Sequence, residues 1–293
     1  MTHDMAELFA LREHDHYAIH RRHLNEQMVR VLKAIGYDVG FCRGKGQYLY
    51  DRDGNRYLDL LSGFGVFAIG RNHPALCEAL KSVLDSDLPN LVQMDVSTLA
   101  GILAERLLTH VPYLDKVCFV NSGSETVEAA IKFARAATGR SGILYCEHAF
   151  HGLTNGALAL NGDEIFREGF EPLLPHCVRI PFNDLVALEK ALHSRTIAAF
   201  IVEPIQGKGE TSPTMIISDL PRISAGAMAP CSSRMKCRPE WVAPVVSWRS
   251  NTGTSSRIWF SLQKHYRADT FRLEHFSREN GFLTKSLIAW SVQ

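Results

Sequence analysis

The sequence predicts an α/β fold, a mostly parallel sheet with helices on both faces, preceded by an N-terminal segment and followed by an irregular tail. Between Lys116 and Val202, short apolar runs that suit buried strands alternate with helical patterns. Such crossovers imply parallel neighbours with helices returning over the sheet. Beyond Gly209 this patterning stops. All four tryptophans (Trp241, Trp248, Trp259, Trp290) fall after that point. Residues 1–209 carry 21 Lys+Arg against 25 Asp+Glu, whereas 210–293 carry 11 against 6. The expected division is 1–60 for an N-terminal segment with a helix and a β-hairpin, 61–209 for a partial α/β domain, and 210–293 for a tail without a native domain.

The N-terminal segment opens on a helical pattern over 17–36, with Ile19, Leu24, Met28, Val29, Val31, Leu32 and Ile35 among polar residues and Gly36 as its stop. Residues 47–59 alternate aromatic and polar positions around Asp53-Gly54, a hairpin signal because glycine relieves the positive-φ turn position. Helices follow at 74–86 and at 97–110. The second is capped by Ser97 or Thr98, with Leu99, Ile102, Leu103 and Leu107 on one face. Lys116–Val120 is a strand, and 124–138 is a helix with Val127, Ala130, Ile131, Ala134 and Ala137 as its buried stripe. Gly142–Cys146 and Ala198–Val202 are strands, the latter preceded by a helix at 185–192. The tail has no sustained period, and only 283–290 suggests a short helix.

Composition narrows the function. The net charge of +1 favours neither nucleic acid nor a membrane surface as partner. Seven scattered cysteines without a C-x-x-C pair fit a reduced cytoplasmic protein rather than a disulfide framework or a zinc site. The first residues lack a basic region and an apolar core of the secretory kind, and no apolar run reaches membrane-spanning length.

Three segments carry chemistry. Asn121-Ser-Gly-Ser-Glu-Thr126 joins a strand to a helix. There Gly123 permits close backbone approach, and the helix start offers N–H groups to an anion, so Ser122, Gly123 and Ser124 suit a phosphate. The plainer alternative is an N-cap serine beside a turn glycine. Glu147-His-Ala-Phe-His-Gly152 follows the next strand. Phe150 is either a stacking face for a flat ring or a core residue, and His151 either a ligand or a loop histidine. His148 and His151 gain no carboxylate or thiol that would complete a metal set. Glu203-Pro-Ile-Gln-Gly207 lies at the C-terminal end of a parallel strand, where open sheets place ligands; the alternative is a strand-end carboxylate paired to a surface base.

The genetic code gives a reading of the tail. Met and Trp have single codons ending in G, so a frame starting one base earlier has a G-initial codon after each. After Met215 that codon gives Asp, after Met228 Gly, after Met235 Glu, after Trp241 Gly and after Trp259 Val. Residues 228–249 then back-translate to G-A-L-F-V-A-D-E-M-Q-T-G-M-G-R-T-G-R-F-L-A, and 261–274 to a string containing K-A-L-S-G-G-H-V-P-T-G-A.

Together with the in-frame motifs from about Tyr17 to Gly209, these strings resemble the class III aminotransferases, pyridoxal-phosphate (PLP) enzymes of fold type I. The resemblance implies the large domain of that fold, incomplete here, and amino-group transfer between an amino acid or amine and a 2-oxo acid. It implies that Ser122, Gly123 and Ser124 bind the cofactor phosphate, that Phe150 stacks on the pyridine ring beside His151, and that Glu203 and Gln206 lie near substrate and ring hydroxyl. Thr126 stands where alanine is commoner. Ser62, Gly63 and Phe64, within Leu61-Ser-Gly-Phe-Gly-Val-Phe67, are expected on the substrate side, and the complete enzyme is expected to be a homodimer. The family's Schiff-base lysine and its pyridine-nitrogen aspartate fall in the other frame, so no catalytic residue is expected in the chain as written. Lys264 nearly coincides with the shadow lysine, but its neighbours are not the family's; Lys208 lies in the glycine-rich loop. The chain is therefore expected to be impaired. A non-catalytic product, or an aminomutase or decarboxylase using the same cofactor, stay open as alternatives.

Overall fold

The computed structural model describes residues 5–63, 66–89, 92–110, 116–203, 206–207, 245–249, 256–262 and 287–291. The chain divides into two compact units, Met1–Leu88 and Pro89–Gln293.

In the first unit, α1 (Met5–Arg12) and a 3-10 turn lead to α2 (His16–His23) and α3 (Glu26–Ala34). The single helix expected over 17–36 is thus two. Leu24 leaves helical geometry at φ −124° and ψ −88°, and the Asn25 side chain accepts from Met28 N to cap α3 afresh. Strands β1 (Phe41–Lys45), β2 (Tyr48–Asp51) and β3 (Arg56–Leu58) form an antiparallel three-stranded sheet. The expected hairpin is its β2–β3 half, with Gly54 at φ 82° in the turn. Helix α4 (Pro74–Leu84) starts on a proline, whose fixed φ suits a first turn.

The second unit holds α5 (Thr98–His110), β4 (Lys116–Val120), α6 (Gly123–Thr138), β5 (Gly142–Cys146), α7 (Asn155–Leu158), β6 (Cys177–Ile180), α8 (Leu185–His193) and β7 (Ile197–Val202). Three further strands come from the tail: β8 (Val245–Arg249), β9 (Ser256–Leu262) and β10 (Leu287–Ser291). The seven-stranded sheet runs β4-β10-β9-β8-β7-β5-β6. Every pairing is parallel except the two made by β8.

The core sits on both faces of β5 and β7, whose residues are all buried. Because side chains alternate along a strand, Ile143, Tyr145, Ala199 and Ile201 pack with Val127, Ile131 and Ala134 of α6. Leu144, Cys146, Phe200 and Val202 face the other way, with Leu188 of α8. Each such large apolar side chain contributes about 1.5–3 kcal/mol by leaving water. This two-sided burial is why those strands read as unbroken apolar runs.

Three expectations need correction. Ala137 is exposed, and Thr138 completes the α6 stripe at 1% exposure, because 130, 134 and 138 keep the four-residue step. In α5, Leu103 and Leu107 are half-buried as expected, whereas Leu99 and Ile102 are 50% and 56% exposed. Ser97, not Thr98, caps that helix, its hydroxyl accepting from Ala100 N at 3.3 Å. The tail also contains more regular backbone than expected: residues 287–290 belong to a strand, not a helix, and no gap separates β7 from β4. Val202 pairs with Val245, Val246 with Trp259, and Trp290 with Phe119. Runs rich in β-branched and aromatic residues suit strands, and the open edges of β7 and β4 need partners for their N–H and C=O groups. An unpatterned tail is expected to leave several tryptophans exposed; Trp241 lies outside the described residues, and Trp248, Trp259 and Trp290 outside the described side chains.

Val246→Pro tests the β8 pairing, since a proline removes a ladder donor in a central strand. We expect faster amide exchange in β7 and β9 with β6 unchanged. Unaltered exchange in β7 would show that β8 does not lie against it.

Candidate functional site

The start of α6 is built by a capping box. The Ser122 hydroxyl accepts from Glu125 N at 3.2 Å, and the Glu125 carboxylate accepts in return from Ser122 N at 3.1 Å and from Asn121 N. That carboxylate engages two of the N–H groups at the helix mouth. Gly123 and Ser124, the first two residues of α6, have no acceptor for their N–H groups among the described residues. An anion therefore meets two main-chain donors, with the Ser122 and Ser124 O–H groups beside them. Ser122 contributes through its hydroxyl rather than its main-chain N–H.

The loop after β5 lies on this mouth. Gly152 adopts φ 124°, and a Cβ there would run into the Ser124 side chain and backbone. Only glycine allows this approach. Leu153 N donates to Ser124 Oγ at 3.3 Å, so one hydroxyl touches both the mouth and the loop. Phe150 is 39% exposed and meets Phe166 edge-on at 5.2 Å between centroids, leaving ring surface open to a ligand. His151 is 5% exposed, and neither ring nitrogen has a partner among the described residues. Burial lowers its pKa to about 4, so the imidazole is neutral near neutrality.

Glu203 and Gln206 reach the same loop from the end of β7, which runs parallel to β5. The Glu203 carboxylate accepts from Phe150 N at 2.9 Å. Burial raises its pKa to about 7, against the pull of N–H groups from Phe150 and Gly207. Gln206 is 2% exposed and donates from Nε2 to Glu147 O at 2.6 Å. The strand ends thus bring Ser122, Gly123, Ser124, Phe150, His151, Glu203 and Gln206 into one connected neighbourhood.

Ser62 and Gly63 belong to the first unit. Both have positive φ (48° and 59°), and Ser62 N donates to Asp59 Oδ1 at 2.8 Å. Asp59 also holds Arg71 at 2.8 Å, whose guanidinium lies 4.0 Å from the Phe67 ring centroid. Phe64, Lys208 and Lys264 lie outside the described residues. Two residues at the loop escaped the sequence reading. Glu128 of α6 accepts from Thr154 Oγ1, Gly156 N and Ala157 N. Asn161, fully buried, binds the main chain of His151 and Gly152. Asn161-Gly162 carries only the signal of a turn. Among the described residues there is no metal-binding cluster of His, Cys, Asp and Glu, and no helix long and apolar enough to cross a membrane.

Comparison with known proteins adds the context. A model of the family described as aminotransferase class-III matches residues 35–215. Aminotransferase PigE of a Serratia species is 41% identical over 188 residues, covering 64% of this chain and 22% of that protein. Acetylornithine aminotransferase of Bacillus cereus is 40% identical over 175 residues, or 60% of this chain and 45% of that one. The chain thus spans less than half the length of these curated relatives. Among solved structures, the ornithine aminotransferase of Toxoplasma gondii aligns with a TM-score of 0.65 at 25% identity, covering 78% of this chain and 55% of that one. The taurine:2-oxoglutarate aminotransferase of Bifidobacterium kashiwanohense, solved with PLP and glutamate, aligns with a TM-score of 0.58 at 25% identity, covering 64% and 48%.

The half-buried carboxylate of Glu203 gives a pH test. Folding favours the protonated Glu203, so its contribution to stability is greatest below about 4.5 and is lost as pH rises through about 7. His151, with its lowered pKa, acts oppositely and loses stability as pH falls through about 4. Glu203→Gln removes only the first effect. The melting temperature of the variant should therefore rise relative to the parent between pH 4.5 and 7. A difference that does not change with pH would contradict this placement of Glu203.

Proposed function

The chain belongs to the class-III aminotransferase family, and from that membership we propose that its site serves amino-group transfer between an amino acid or amine and a 2-oxo acid. Pyridoxal phosphate is the cofactor. The observation that carries this reading is the contact of Gly152 with Ser124, which joins an anion-binding helix start to an open aromatic face. Gly123 and Ser124 would donate main-chain N–H groups to the phosphate, and the Ser122 and Ser124 hydroxyls would add two donors. Phe150 would cover one ring face, and the buried, neutral His151 sits beside Phe150 without bringing a charge. Gln206, held by its bond to Glu147 O, would lie near the ring hydroxyl, and Glu203 braces the peptide that enters Phe150. When bound, the cofactor supplies an electron sink for negative charge at the substrate α-carbon. By the family resemblance, Ser62, Gly63 and Phe64 are assigned to substrate recognition in the complete enzyme.

Amino transfer also needs a lysine joined to the cofactor, which moves the proton, and an aspartate that keeps the pyridine nitrogen protonated. Both family motifs occur only when residues after Gly209 are read one base earlier. On this reading the chain as written binds the cofactor but turns over poorly or not at all. Lys264 has the right chemistry without the right surroundings, and a reacting group must be placed to within about 0.5 Å. A non-catalytic product is the second reading, favoured by that same loss of motifs. The five cysteines described are all free thiols, which supports a reducing, cytoplasmic setting. Homodimer formation by the complete enzyme is part of the same proposal, carried by the family resemblance alone.

Three proteins test the reading: the chain as written, its Lys264→Ala variant, and a version with the frame restored after Gly209. Each is mixed with PLP, reduced with borohydride and analysed by mass spectrometry for a modified lysine. Only the restored protein should carry a specific modification and show transaminase turnover. Lys264→Ala should change neither readout in the chain as written. Loss of a measured activity on Lys264→Ala would show that the written tail is functional.

A further inference from the structure

The loop from Phe150 to Leu153 has no helix or strand of its own, yet side chains from other elements hold its main chain in succession. Glu203 Oε2 takes Phe150 N at 2.9 Å, and Ser124 Oγ takes Leu153 N at 3.3 Å. Between them Asn161 alone supplies both partners. Its Oδ1 accepts from His151 N at 2.8 Å and its Nδ2 donates to Gly152 O at 3.0 Å. An amide side chain has one acceptor end and one donor end, and here each end meets its complement. Leucine, aspartate and alanine lack that pair of functions.

Asn161 reaches this position because its neighbour is glycine. Gly162 N donates to Ala149 O at 2.8 Å, and a Cβ at Gly162 would collide with the backbone of His148 and Ala149. The 161–162 segment therefore lies directly against the base of the loop. Asn161 itself is 0% exposed, so water does not replace a lost partner there.

The His151 N–H belongs to the peptide group that leaves Phe150, and the Phe150 N–H belongs to the one that enters it. Fixing both planes fixes the backbone at Phe150 and limits where its ring can point. Glu203 holds the entering plane and Asn161 the leaving one. Asn161 also fixes Gly152 at the contact with Ser124. We propose that Asn161 is a positioning residue for the cofactor ring, acting through the Phe150–Gly152 backbone without touching the cofactor. The proposal rests on the PLP reading above. It predicts a separation between the two ends of the ligand, since the phosphate donors of Gly123 and Ser124 belong to α6 and do not depend on Asn161.

The test measures binding of PLP and of inorganic phosphate to the full chain, by calorimetry, for the parent, Asn161→Leu and Asn161→Ser. Leucine keeps the volume and removes both hydrogen bonds. Serine keeps one hydroxyl for either partner. PLP binding should weaken about tenfold in Asn161→Leu and by less in Asn161→Ser, as two buried hydrogen bonds warrant. Phosphate binding should stay within about twofold of the parent in both, because its donors are untouched. Equal loss of phosphate and PLP would mark Asn161 as a residue of general stability and overturn the proposal. Unchanged PLP binding in both variants would overturn it while leaving the PLP reading intact. A parent chain that binds phosphate but not PLP would overturn both.

Discussion

The close approach of Gly152 to Ser124 is the constraint on which the site depends. Without it, α6 offers an anion mouth of a common kind, and Phe150 is one more half-exposed aromatic. With it, the two become parts of one surface. The approach requires a residue without a Cβ at φ 124°, and an oxygen at Ser124 that accepts from Leu153. The core beneath makes it possible. Buried β5 and β7 set the heights from which the loop at 147–152 and the carboxylate of Glu203 start, and the stripe Val127, Ala130, Ile131 and Ala134 seats α6 against them.

Electrostatics at this surface are finely balanced. Glu125 already places a carboxylate at the helix mouth, which stabilises the helix start and reduces its attraction for a further anion. Glu203 sits nearby with a pKa raised to about 7, and His151 is held neutral. Cys146 is pushed up to about 12 by burial, so its thiol is inert. The donors that the described residues offer to an anion at this mouth are therefore main-chain N–H and hydroxyl groups. This is the arrangement in which geometry, more than charge, decides the ligand.

Much of this was legible in the sequence because it depends on local pattern. The runs at 142–146 and 198–202 are apolar without break, as strands buried on both faces must be. Ser122 and Glu125 have capping-box spacing. What was not legible depends on partners distant in sequence. Asn161-Gly162 looks like a turn until Ala149 and His151 are seen across it. The half-buried positions of α5 are 100, 103, 104, 107 and 108, a regular helical stripe, but Leu99 and Ile102 make the neighbouring stripe equally apolar, so the pattern does not choose between the two. The tail strands are the clearest instance. Val245-Val246, Ile258-Trp259-Phe260 and Leu287-Ile288 have strand chemistry but no period, and their pairing follows from the open edges of β7 and β4. A strand can be recruited by a neighbour's unmet hydrogen bonds without a sequence pattern of its own. That recruitment concerns the backbone alone.

The central claim is that residues up to Gly207 hold a cofactor pocket whose two ends meet at Ser124 and Gly152. Amide hydrogen exchange of the full chain, with and without PLP, tests it most directly. Added PLP should protect Gly123, Ser124 and the 150–153 segment together, leaving β6 and α8 unchanged. Protection at the α6 start without the 150–153 segment, or at neither, would contradict the account.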